Sequence, residues 1–190
     1  MKLCFDETYF PIHLPENKKA GIVFSGGLDS TVLAKALLSL GVELDFFTIE
    51  DRCHVERVKK AAKYLGVETT FIKRQDVTSS DILNDVLALS KRLRQLLYTG
   101  ATKNLDFQHS SPPKRPTNIV YPQGDYEKTL PFLYAPFINT TKDKVFKYAD
   151  VLELDVSQTW SCTESAETLC GLCYACTERQ LASKIYQENY

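Results

Sequence analysis

One junction constrains this chain more than any other. The apolar run Ala20–Phe24, with β-branched Ile22 and Val23, stops at Ser25-Gly26-Gly27. Residues at helical spacing follow at once: Val32, Leu33, Ala36, Leu37 and Leu40, closed by Gly41. A short apolar run before a glycine pair reads as a buried strand. The stripe after it reads as a helix with a glycine at its C-terminal end. The pattern then repeats. Leu44–Ile49 is a second strand candidate, Val55, Val58, Ala61, Ala62 and Leu65 form a second stripe closed by Gly66, and Glu68–Ile72 is a third strand candidate. Strands alternating with helices imply βαβ crossovers, and so an α/β fold with a parallel sheet covered by helices on both faces.

Further along, Ile82, Leu83, Val86, Leu87, Leu93, Leu96 and Leu97 predict a long amphipathic helix from Asp81 to Tyr98, with Ser80 as its N-cap. From Gly100 to Pro136 the periodicity is lost, and Ser110-Ser111-Pro112-Pro113-Lys114-Arg115-Pro116 lies within the stretch. It is too long for a plain connector and reads as a lid or a partly disordered segment. Tyr134–Ile138 is a last strand candidate. Val145, Phe146, Ala149 and Leu152 predict a helix over Asp143–Leu152, and a C-terminal helix starts at about Thr177. The first 19 residues, with Pro11, Pro15 and a charged end, read as an edge strand or extended arm. The expected organisation is an arm at 1–19, an α/β domain at 20–152 with a substrate or lid region at 100–136, and a C-terminal segment at 153–190.

The charges nearly cancel, with 23 Lys and Arg against 24 Asp and Glu. Without a global basic field, nucleic acid is not the expected partner, and Lys59-Lys60 reads as a solvated helix face. No apolar run approaches the roughly 20 residues of a membrane span, so no membrane partner is expected. Asp6 and Glu7 interrupt what would be the apolar stretch of a signal peptide. Both features favour the cytoplasm, where thiols stay reduced.

Of six cysteines, four crowd into one short segment: Cys162, Cys170, Cys173 and Cys176, spaced C-x7-C-x2-C-x2-C with Gly171 inside the tight knuckle. Four thiolates in tetrahedral geometry suit Zn²⁺ and leave no open position, which makes the site structural. An iron–sulfur cluster is the competing reading. Cys4 and Cys53 stand apart and read as ordinary thiols.

The junction itself, Phe24-Ser25-Gly26-Gly27-Leu28-Asp29-Ser30-Thr31, carries the chemistry. Paired glycines permit positive φ and close backbone approach to a ligand. Ser25 and Ser30 add hydroxyls, and the start of the helix favours an anion, most simply a phosphate. The loop lacks the lysine of G-x-x-x-x-G-K-[ST] and is not G-x-G-x-x-G, so neither a Walker A loop nor a dinucleotide site is indicated.

This loop resembles the SGGxDS pyrophosphate loop of the ATP pyrophosphatases, within the adenine nucleotide α-hydrolase fold, a Rossmann-like parallel sheet. That resemblance implies that residues 24–31 cradle ATP phosphates, that Asp29 lies near Mg²⁺–pyrophosphate, and that Ser30 caps the helix and contacts phosphate. With the C-terminal motifs the resemblance narrows to the 7-cyano-7-deazaguanine synthase family. The motifs are Pro136-Phe137-Ile138-Asn139-Thr140-Thr141-Lys142 ahead of a helix, Thr159-Trp160-Ser161-Cys162, and Cys170-Gly171-Leu172-Cys173-Tyr174-Ala175-Cys176-Thr177-Glu178-Arg179, with Tyr186 as a late tyrosine. It covers residues 20–72 and 134–186. Thr163-Glu164-Ser165 stands where the family carries Tyr-Asn-Gly, and the middle region offers only Gly100 and Asp106 as counterparts of the base-pocket segment.

The resemblance implies a ligase-type enzyme of queuosine biosynthesis that uses ATP, Mg²⁺ and ammonia to turn a 7-carboxy-7-deazaguanine-type acid into its amide and nitrile through an acyl-adenylate. AMP and pyrophosphate leave. Asp29, Ser30 and Lys142 are its candidate catalytic residues, and a homodimer fits the family. Rival readings are a divergent member that adenylates another carboxylate or modifies tRNA or protein, and an ATP-binding module without turnover. Lys142 reads either as a phosphate or acyl-adenylate contact or as a solvated residue. Arg179 reads as a phosphate ligand, a holder of the knuckle, or a surface residue. Glu50 and Asp51 fall at the carboxyl end of the sheet, where backbone could read adenine. His13, His54 and His109 read as surface histidines, and Trp160 as packed under the knuckle.

Overall fold

The computed structural model describes residues 14–50, 54–73, 89, 92, 93, 95–102 and 133–190, and the backbone of 2–5 and 8–11. The chain opens with two short antiparallel strands, β1 (Lys2–Phe5) and β2 (Thr8–Pro11), which form a sheet of their own rather than an edge of the main one. The main sheet has five parallel strands: β3 (Lys19–Val23), β4 (Glu43–Ile49), β5 (Thr70–Ile72), β6 (Leu97–Thr99) and β7 (Leu133–Tyr134). Helices α1 (Leu28–Ser39) and α2 (Val55–Leu65) follow β3 and β4, while α3 (Lys142–Val151) and α4 (Tyr174–Asn189) close the chain.

The strand order is β5-β4-β3-β6-β7. The chain moves outward from β3 to β5, then returns to the other side of β3 with β6. Direction reverses between β3 and β6, and at such a switch point the loops leaving the two strands diverge and open a crevice.

The apolar periodicities explain the packing. In α2, Val58, Ala61 and Ala62 of the expected stripe are buried, and Gly66 ends the helix at φ +70°. Helix α1 is buried over most of its circumference, from Leu28 to Leu37, because it lies against the sheet and against α3. Phe24 and Phe46 meet edge to face at 5.3 Å and Tyr98 and Tyr134 at 5.8 Å, geometries that suit the ring quadrupole.

Three boundaries differ from those expected. Leu97 and Tyr98 belong to strand β6, not to the helix predicted from Asp81 to Tyr98; of that helix Leu89, Arg92 and Leu93 are helical, and most of the rest lies outside the described residues. A leucine fully buried in a central strand satisfies a helical stripe and a buried strand equally well. The last strand ends at Tyr134, since the chain turns at Pro136–Asn139. The final helix begins at Tyr174, so Cys176 already lies on it. The Pro/Ser segment, Asp51, Cys53, His13, His109, Asp106 and the side chain of Cys4 lie outside what the structure describes.

Candidate functional site

The loop after β3 occupies the switch point. Gly26 adopts φ +69°, and a Cβ there would meet the Val58 backbone at 3.0 Å. Its carbonyl accepts the Trp160 amide at 2.8 Å, which ties the loop to the segment before the cysteines. Gly27, not Ser30, is the N-cap of α1, and no side chain caps the helix. Ser30 sits in the first turn, where its hydroxyl donates to the Gly27 carbonyl at 3.2 Å and lies 3.0 Å from the Ser25 hydroxyl. Thr31 Oγ1 donates to the same carbonyl at 2.8 Å. These bonds fix the turn, and they do not use the opening N–H groups of α1, which in any helix lack intrahelical partners.

From the far side of the switch point, the residue after β6 closes on the same turn. A Cβ on Gly100 would lie 2.7 Å from the Ser30 amide nitrogen and 2.8 Å from the Asp29 carbonyl carbon. Between the two strand ends lies a cavity of about 310 Å³, at the lower end of the usual range for small-molecule sites. Phe24, Ser25, Gly27, Leu28, Asp29 and Ser30 line it, as do Ile49, His54, Arg57, Thr99–Thr102, Lys142, Trp160–Thr163 and Ala175. Gly26 and Thr31, expected to take part in the same site, are not among the residues that line it. Glu50 directly follows Ile49 at the carboxyl end of β4.

Lys142, the first residue of α3, is buried, which excludes the solvated reading. Its Nζ lies 2.6 Å from Glu178 Oε2 and 3.2 Å from Asp29 Oδ2. Burial works against the ammonium, but two carboxylates outweigh it, and Lys142 is held above the ordinary lysine range. Asp29 moves up as well. Its desolvation dominates, Lys142 opposes it, and Glu178 competes for the same ammonium. The two directions agree once the stoichiometry is counted: one cation serves two anions. Asp29 Oδ1 is buried without a hydrogen-bond partner among the described residues.

One residue departs from expectation, and two others take definite places. His54 is half-buried, lines the cavity, and has a buried Nε2 without a partner among the described residues, so it is not a surface histidine. Trp160 lines the cavity, and its indole N–H donates at 3.0 Å to the carbonyl of Ser165, in the loop between Cys162 and Cys170. Arg179 donates to Thr159 Oγ1, Ser161 Oγ and the Val156 carbonyl at 2.8, 3.1 and 2.7 Å, which makes it the clamp of the segment leading into Cys162. Tyr186 stacks on Phe146 and Tyr190, along α4.

The motif reading missed two residues. Arg57 places its guanidinium 4.0 Å over the Trp160 ring and donates to the carbonyls of Ala166 and Glu167. Its position on the cavity side of α2 was legible in the stripe; its long-range partners were not. Glu178 sits within the Cys170–Arg179 motif, and its pairing with Lys142 across 36 positions leaves no local signal.

The four cysteines are free thiols whose Sγ atoms all lie within 4.8 Å of one another, with Cys170 and Cys176 3.9 Å apart. Four ligands at the usual Zn–S length of about 2.3 Å would sit about 3.8 Å apart on a tetrahedron, so the donor set fits a single ion. Gly171 at φ +72° folds the knuckle so that the amides of Leu172 and Cys173 donate to Cys170 Sγ at 3.5 and 3.3 Å. Burial disfavours the Cys173 thiolate, yet backbone amides of Thr163 and Cys176 outweigh it and draw the group down to about 6. Burial pushes Cys176 up to about 12, as expected where four thiols share one small volume.

Fold and loop together define the class, a parallel α/β domain with an SGGxDS junction at its topological switch point and a cysteine cluster able to bind a metal. Within it, the motif resemblance to the 7-cyano-7-deazaguanine synthase family is matched by comparison with known proteins. The family model described as queuosine biosynthesis protein QueC matches residues 117–187. The 7-cyano-7-deazaguanine synthase of Psychromonas ingrahamii is 25% identical over 205 residues, covering 86% of this chain and 91% of that protein. That of Pseudoalteromonas translucida is 26% identical over 211 residues, covering 88% and 94%. The 7-cyano-7-deazaguanine synthase 2 of Colwellia psychrerythraea is 40% identical over 48 residues, 25% of this chain and 22% of that one. A crystal structure described as a predicted subunit of tRNA methyltransferase from Methanocaldococcus jannaschii aligns with a TM-score of 0.43 at 14% identity, over 70% of this chain and 74% of that one. Among the described residues, no helix is long and apolar enough to cross a membrane.

Proposed function

We propose that this chain is an ATP-dependent enzyme that converts the carboxylate of a 7-carboxy-7-deazaguanine-type acid, with ammonia, to the amide and then the nitrile. The observation that carries the reading is the convergence of three features on one cavity: the uncapped start of α1, the Asp29 carboxylate and the Lys142 ammonium. The names of the relatives supply the acceptor.

A carboxylate has no good leaving group, and ATP provides one. The substrate oxygen attacks the α-phosphorus, the α–β bond breaks, and pyrophosphate departs with the bonding pair. Ammonia then adds to the mixed anhydride and expels AMP. A second adenylation, on the amide oxygen, lets AMP leave with that oxygen and the nitrile form as two protons are lost. No protein nucleophile is needed. The α1 amides and Ser25 hold the departing phosphates, and Lys142 offsets their charge from the wall, so catalysis is positioning and electrostatics. Residues 20–152 carry this chemistry, and residues 153–190 brace it.

Asp29 Oδ1, buried and without a partner among the described residues, suits a divalent cation. Mg²⁺ bound there would supply neutralisation of the triphosphate charge. Cys162, Cys170, Cys173 and Cys176 would hold Zn²⁺ in a closed, structural site. Incubation with ATP, Mg²⁺, ammonium and 7-carboxy-7-deazaguanine tests the reading. Mass spectrometry should show the acid lost to amide and nitrile with AMP formed. Nucleotide binding without AMP release would establish the non-enzymatic alternative instead.

A further inference from the structure

The ion cluster behind the cavity has an order to it. Asp29 and Lys142 line the cavity. Glu178 lies behind Lys142 on α4, with its side chain only 4% exposed against 22% for Asp29. The Lys142–Glu178 contact is 2.6 Å and the Lys142–Asp29 contact 3.2 Å. Both Glu178 oxygens are engaged, since Tyr174 donates its hydroxyl to Oε1 at 3.2 Å. One Asp29 oxygen has no partner among the described residues. Arg179 adds a positive charge nearby, but its guanidinium is committed to the 156–161 segment. The three touching groups, counted at their ordinary charges, carry one negative charge in excess.

We propose that Glu178 is a positioning residue of the nucleotide site. It is the fixed counter-ion of Lys142, whereas Asp29 is the exchangeable one. With Glu178 in place, Asp29 can give up Lys142 to a phosphate–cation complex without leaving a buried ammonium unpaired, a state that buried charges resist strongly. Without Glu178, Asp29 is the only carboxylate touching Lys142 among the described residues, and nucleotide must break that pair in order to bind. This inference rests on the nucleotide reading above and adds to it the residue that keeps the lysine in place.

The test is a double-mutant cycle on the zinc-loaded full chain, read as Mg·ATP affinity by calorimetry, with zinc content and unfolding temperature measured alongside. Glu178→Gln should weaken Mg·ATP binding about tenfold, and Glu178→Asp should recover part of the loss. In a Lys142→Met background, Glu178→Gln should change affinity by less than twofold, because the group it acts through is gone. A purely structural Glu178 would give equal losses in both backgrounds, and that result overturns the proposal. Tyr174→Phe, which removes only the hydroxyl behind Glu178, should weaken binding two- to threefold; it carries the test if Glu178→Gln does not fold, and unchanged affinity then overturns the proposal. Wild-type protein that fails to bind Mg·ATP sinks the nucleotide reading itself. Wild-type binding with an equally tight Glu178→Gln sinks this inference alone.

Discussion

Gly100→Ala probes the geometry that makes the site. The glycine follows β6 and abuts the first turn of α1, where a Cβ would lie 2.7, 2.8 and 2.9 Å from the Ser30 nitrogen, Asp29 carbonyl carbon and Ser30 Cα. The nearest of these is about 0.7 Å inside the 3.4 Å at which ordinary contact begins. All three are backbone atoms, so no rotamer change relieves the clash. The end of β6 and the start of α1 must separate by several tenths of an ångström. Overpacking of this kind costs about 1–3 kcal/mol, and a chain of this size loses about 2–4 °C in Tm per kcal/mol. The displaced atoms belong to the turn that the proposed function assigns to phosphate, and misplacement by about 1 Å can cost about a hundredfold in rate. Gly100→Ala should therefore lower Tm by several degrees and weaken Mg·ATP binding at least tenfold, measured by thermal unfolding and calorimetry on the same preparation. An alanine variant with unchanged Tm and affinity would refute the close approach of the two strand ends.

Asp29→Ala should cut turnover at least a hundredfold while Tm shifts by less than about 2 °C, since Lys142 keeps its shorter contact to Glu178; wild-type turnover would remove the loop from the mechanism. Arg57→Ala loses the stacking on Trp160 and two bonds to knuckle-loop carbonyls. It should cost about 1–3 kcal/mol, read as a lower urea midpoint, with faster proteolysis within 162–170; an unmoved midpoint contradicts the clamp. Metal analysis should find one zinc per chain in a colourless protein, and chelation or Cys173→Ser should lower Tm before it alters chemistry. A brown, iron-bearing protein would overturn the zinc assignment, and a specific rate loss at normal stability would make Cys173 catalytic.

The parts of the site that were legible in the sequence are local ones. The β3–loop–α1 junction is contiguous, its glycines and hydroxyls act within one turn, and the cysteine spacing encodes its own cluster. What escaped depends on distant pairing. Glu178 reaches Lys142 across 36 positions, and Arg57 reaches Ala166 across 109. Neither distance leaves a periodic trace. Leu97 and Tyr98 extended a leucine stripe and so passed for helix, because the apolar period does not separate a short, fully buried strand from a helix end. His54 shows the converse limit. An isolated histidine carries no pattern of its own, and only the fold places it on a cavity wall with its Nε2 buried.

Oxygen tracing addresses the central claim most directly. With the acid labelled by ¹⁸O in both carboxylate positions, adenylation moves one labelled oxygen onto each AMP released. The account predicts AMP carrying a single ¹⁸O, with pyrophosphate unlabelled. Unlabelled AMP, or ADP with inorganic phosphate, would show that the acid never becomes its adenylate and would contradict the account.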